Sequence, residues 1–148
     1  MEAVIYMPLV GEGTDCWRSV RARRIDQDVF EVIEQIPADE SWRFAPFSRI
    51  RCRNRIFTDG ETGLEAFEYA VESDPNYQLL KKHKKEIFRV VFKDGEEAVI
   101  RVTCVSAQYE DFVYDLLATT GDREHHRVRS DAAYCAKFAD LVSASLED

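Results

Sequence analysis

The chain has 148 residues, 45% hydrophobic and 32% charged, with a formal net charge of −8; this is the make-up of a soluble globular protein able to bury one core or two small ones. No apolar run approaches the ~20 residues of a membrane-spanning helix, and the acid surplus repels nucleic-acid phosphates wherever basic groups do not cluster, while steering the protein toward basic partners. The opening residues 1–6 have neither a basic start nor a signal-like apolar block, and Cys16, Cys52, Cys104 and Cys135 form no CxxC pair, so reduced thiols in a cytoplasmic protein are expected, rather than disulfides or a zinc site.

Residues 4–10 read as a first strand, bent or at an edge because Pro8 lacks a backbone donor. The loop Gly11-Glu12-Gly13-Thr14-Asp15 leads into an alternating stretch over 16–25, with Val20 and Ala22 on one side and Arg21 and Arg23 on the other. Asp26-Gln27-Asp28 is a turn, and 29–36 a third strand with Phe30, Val32 and Ile36 in phase.

Two segments carry a resemblance. Gly13-Thr14-Asp15-Cys16-Trp17-Arg18-Ser19-Val20, and then Trp42-Arg43-Phe44-Ala45-Pro46 leading toward Arg51-Cys52, resemble a family of small, functionally uncharacterised bacterial proteins with a GTDxWRPV motif and a WxFxPG segment. The likeness covers roughly residues 4–70. It departs at Ser19, where the motif has Pro, and at Phe47, where it has Gly. It implies a compact SH3-like β-barrel and brings no catalytic or binding residues.

The next strand, 49–57, places Ile50, Cys52, Asn54 and Ile56 inward and Arg49, Arg51, Arg53 and Arg55 outward. A turn over 58–63 and a fifth strand over 64–70 complete the barrel. Ser73-Asp74-Pro75 reads as the start of a helix over 76–85, a capping residue followed by Pro at the first helical position, with a basic end at Lys81, Lys82, His83, Lys84 and Lys85. Strands over 86–93 and 96–105 flank Asp94-Gly95, a hairpin signal. Ser106 is placed to cap a helix over 107–118, with Tyr109, Phe112, Val113, Leu116 and Leu117 on one face and Gly121 beyond its end. After a charged loop holding His125 and His126, a last helix is expected over 130–146, with Tyr134, Phe138, Leu141, Val142 and Ser145 in register.

The expected fold is therefore α+β: a small SH3-like antiparallel barrel over 1–72, then a helix, a hairpin and two helices over 73–148 packed against it. The candidate binding residues are Arg21, Arg23, Arg49, Arg51, Arg53 and Arg55, whose guanidinium forks suit phosphate or acidic surfaces, with Trp17 and Trp42 as aromatic contacts. The same arginines have another use, pairing across strands with Glu31, Glu65 and other acids; the tryptophans, with Phe44 and Phe47, have another in filling the barrel. No P-loop, GxSxG or GxGxxG occurs, and His125-His126 lacks metal-ligand spacing. No catalytic residue, metal or cofactor is assigned. The function expected is non-enzymatic protein binding, an immunity- or antitoxin-like bacterial protein neutralising a basic toxin; the alternative is nucleic-acid or phosphate-ligand binding through the arginine face.

Overall fold

The structure is a computed structural model and describes residues 1–147. The chain forms two compact units, Met1–Ala70 and Val71–Asp148.

The first unit is a closed barrel of β1 (Glu2–Pro8), β2 (Trp17–Arg24), β3 (Val29–Val32), β4 (Arg49–Ile56) and β5 (Thr62–Tyr69). Neighbours pair antiparallel, and the barrel closes where β1 meets β5 in parallel at Tyr6 and Glu65. Closure leaves no edge strand to recruit another chain. Alternation points Ile5 and Met7, Val20 and Ala22, Phe30 and Val32, and Ile50 and Cys52 inward, where Trp42, Phe44 and Ala66 complete the core. In β4 the inward series stops at Cys52. Asn54 is exposed and Ile56 is 73% exposed, because β4 runs on past the core. Gly63 is needed for contact. A β-carbon there would lie 2.3 Å from a ring carbon of Tyr6, which packs on Phe57 at 4.6 Å between centroids.

The second unit is a five-stranded antiparallel sheet in the order β10-β6-β7-β8-β9: β6 (Ile87–Phe92), β7 (Glu97–Ser106), β8 (Asp111–Thr119), β9 (Tyr134–Lys137) and β10 (Leu141–Leu146). One helix, α1 (Pro75–Lys82), precedes it, and its buried Tyr77 and Leu80 join the core formed by Phe88, Val90, Ile100 and Phe112. Asp74 caps α1 by accepting from the Asn76 N–H at 2.9 Å, with Pro75 beginning the helix. The β6–β7 turn is built as its Asp-Gly pair requires: Gly95 has φ 93°, and Asp94 accepts from the Glu96 N–H at 3.0 Å.

The α+β class is corrected. Residues 107–118 are a turn and then a strand, and 130–146 hold β9, a 3₁₀ turn over Phe138–Asp140, and β10; the fold is mainly β, and the two C-terminal helices are absent. Ser106 does accept from the Tyr109 N–H at 3.1 Å, but the turn it caps reverses the chain at Glu110, φ 57°. Phe112, Tyr114 and Leu116 then bury at a spacing of two, and Leu117, assigned to the apolar helical face, is exposed. Val142, placed on the buried face of the last helix, is 60% exposed. In the first segment period two, and in both the neighbouring strands' hydrogen bonds, prevail over a helical spacing that the same residues also satisfy.

Candidate functional site

The arginines of β4 meet their acids through strand register. Arg49 lies opposite Glu31, Arg51 opposite Glu68, and Arg53 opposite Glu65. Arg51 donates from Nη1 to both Asp28 oxygens at 2.9 Å, and its Nε lies 3.2 Å from Glu68. On β2, Arg23 donates to Glu31 at 2.5 Å, Arg21 to Glu34 at 3.1 Å, and Arg18 to Glu40 at 2.6 Å. The cross-strand use of the ladder is thus the one realised over most of its length.

One place is balanced differently. Arg53 donates to Oε1 of Glu65 at 3.1 Å and Arg55 to Oε2 at 3.0 Å, so two guanidiniums divide one carboxylate. Glu65 is 5% exposed beneath them. Arg53 stacks over Phe67 at 4.7 Å and Arg55 over Trp17 at 4.4 Å. These residues border a cleft of about 320 Å³, which Arg43 and Asp15 also line. Trp17, Arg53 and Arg55 therefore come together at this cleft, while Arg21, Arg23, Arg49 and Arg51 lie outside its lining. Trp42 does not reach it either. It is 8% exposed in the barrel core, with its indole N–H donated to Glu40 at 3.0 Å. Phe44 is buried beside it; Phe47 of the same segment is exposed. Behind the ladder, burial first, then Asp28 and Glu65, pushes the Cys52 thiol up to about 12.

The second unit holds a buried polar network. Nδ1 of His126 lies 2.7 Å from Glu96 Oε2, and its Nε2 lies 2.6 Å from the Tyr114 hydroxyl. Thr119 and Arg123 also donate to Glu96. Burial alone would raise the Glu96 pKa; the bonds from Thr119, His126 and Arg123 outweigh it and hold the carboxyl below its ordinary value. Burial foremost, then Glu96, raises the Tyr114 phenol. A cavity of about 580 Å³ opens beside His126, with Lys93 and His125 among its lining residues.

Arg43 and this network escape sequence reading. Arg43 sits inside a segment read as barrel filling. Nothing in the spacing of Glu96, Tyr114, Thr119, Arg123 and His126 announces that they meet; the one local cue is that Glu96 follows the Asp-Gly turn directly. Among the described residues no group of three or more His, Cys, Asp or Glu side chains is placed to hold a metal ion, and no helix is long and apolar enough to cross a membrane. Cys104 and Cys135 are exposed, in register with Val113 on either side of β8. No family model, curated protein or solved structure matches the chain.

Proposed function

We propose that the protein is a non-enzymatic binding protein of the immunity or antitoxin kind, which works in the cytoplasm and masks a basic protein partner such as a toxin. The observation that carries this reading is the neutralised ladder. Arg18, Arg21, Arg23, Arg51, Arg53 and Arg55 all bond carboxylates of their own barrel. A continuous basic track for a nucleic-acid backbone is thereby used up, while the chain keeps its surplus of eight negative charges. Such a surface is attracted to a basic partner and repelled by phosphate backbones.

The titratable groups support binding over chemistry. Burial foremost, then Asp111, raises the Cys135 thiol, and the Cys52 thiol and Tyr114 phenol are also raised. Neither thiol is activated as a nucleophile at neutral pH, nor the phenol as a base. The test is co-expression with the product of the neighbouring gene. Rescue of growth, together with a stable complex of the two purified proteins, is the expected result; a growth-neutral neighbour that forms no complex would remove the reading.

A further inference from the structure

We infer that the cleft of Trp17, Arg43, Arg53 and Arg55 is a binding site for a small phosphate-type oxyanion. This goes beyond the partner reading and does not depend on it. Elsewhere on the barrel Arg18 pairs with Glu40 and Arg23 with Glu31, while Arg21 and Arg51 each meet two carboxylates. Here Arg53 and Arg55 share Glu65. Arg43 is exposed, stacks over Phe44 at 5.2 Å, and makes no ion pair among the described residues. Asp15, on the lining, brings the local count to three guanidiniums against two carboxylates. In a chain of net charge −8, this is a local excess of positive charge at a concave surface.

The donors also outnumber the acceptors. The Trp17 indole N–H and the Arg55 Nε–H are buried and find no acceptor among the described residues. Arg53 uses Nε on Glu65, its side chain is 61% exposed, and its two terminal nitrogens make no hydrogen bond among the described residues. Buried N–H groups without acceptors are costly and uncommon; these two are closed to solvent, so an oxygen-rich anion in the cleft meets the unbonded guanidinium N–H groups of Arg43 and Arg53 directly and reaches the buried pair only as the side chains over them shift. A carboxylate offers two oxygens and a phosphate group more, with the tetrahedral spread that several guanidiniums can share. At about 320 Å³, the cleft is at the small end of ligand sites, which run from ~300 Å³ upward. That size fits one phosphate group with a small substituent, not a polymer.

The test is a titration of the ¹⁵N-labelled full chain with inorganic phosphate, against sodium chloride at matched ionic strength. The two tryptophans give two indole N–H signals. The signal of Trp17 is expected to move and saturate, while that of Trp42, already bonded to Glu40, stays. Arg43→Gln and Arg53→Gln together weaken phosphate binding on the order of tenfold or more, and Arg23→Gln, at a residue paired with Glu31 on the neighbouring strand and outside the cleft lining, leaves it unchanged. If the double variant unfolds, Arg43→Gln alone carries the test, since Arg43 has no ion pair among the described residues to lose. Glycerol 3-phosphate, a phosphate with a small substituent, forms a second arm: tighter binding than inorganic phosphate assigns a phosphorylated metabolite, weaker binding the free anion. A Trp17 response that chloride reproduces, acetate binding as tight as phosphate, or phosphate binding unchanged in the arginine variants would each overturn the inference.

Discussion

Nδ1 of His126 lies 2.7 Å from Oε2 of Glu96, and both side chains are buried, at 10% and 4% exposure. The pair joins two segments far apart in sequence: the β6–β7 turn and the loop that follows β8. Glu96→Ala leaves His126, Arg123 and Thr119 without their common acceptor and is expected to cost about 2–3 kcal/mol, read by urea denaturation. Glu96→Gln keeps the shape and loses the charge, and falls between the two.

The same carboxyl gives a pH dependence with a definite sign. Its folded pKa is lowered below the ordinary 4.5, so its charge stabilises the fold fully above that value. The contribution is lost as pH falls through the lower, folded value. Stability of the native protein and of Glu96→Gln, measured from pH 7 down to pH 3 or below, should converge on the acid side. A gap that widens in acid would reverse the assignment.

Phe47 has a φ of 61°, in the left-handed region that favours glycine. Its side chain is 56% exposed, so the backbone, not packing, decides what suits the position. A side chain in this left-handed region costs about 1 kcal/mol relative to glycine. Phe47→Gly should therefore be more stable than Phe47→Ala by about 1 kcal/mol in thermal or urea unfolding. Gly63 behaves the other way. Gly63→Ala forces a methyl against the Tyr6 ring and is expected to cost about 1–3 kcal/mol.

Thiol chemistry separates inside from outside. Cys104 and Cys135 are exposed, whereas Cys52 is 4% exposed and its pKa is pushed up to about 12. Alkylation at pH 8 followed by peptide mass analysis should label Cys104 first and Cys135 more slowly, because burial and Asp111 hold its thiol protonated. Cys52 should be labelled only after denaturation.

The sequence is most legible where one period rules. Residues 49–52 alternate charge with apolar groups, and the inward Ile50 and Cys52 lie where alternation places them. Asp94-Gly95 admits only a tight turn. Legibility fails where one set of residues satisfies two periods. Phe112, Val113, Leu116 and Leu117 suit a helix, and Phe112, Tyr114 and Leu116 suit a strand; the hydrogen-bonding neighbours on β7 and β9 that select the strand are distant in sequence. The cleft was visible only in part. Trp17, Arg53 and Arg55 stand out by type, but that Glu65 serves two arginines, and that Arg43 joins them, depends on how the barrel closes.

The partner reading rests on charge, and charge is tested by salt. The decisive measurement is the association rate with the product of the neighbouring gene, by stopped flow at 20 mM and 500 mM sodium chloride. Electrostatic steering of an acidic protein onto a basic one predicts a rate that falls about tenfold or more across that range. A rate indifferent to salt, or one that rises with it, would contradict the account.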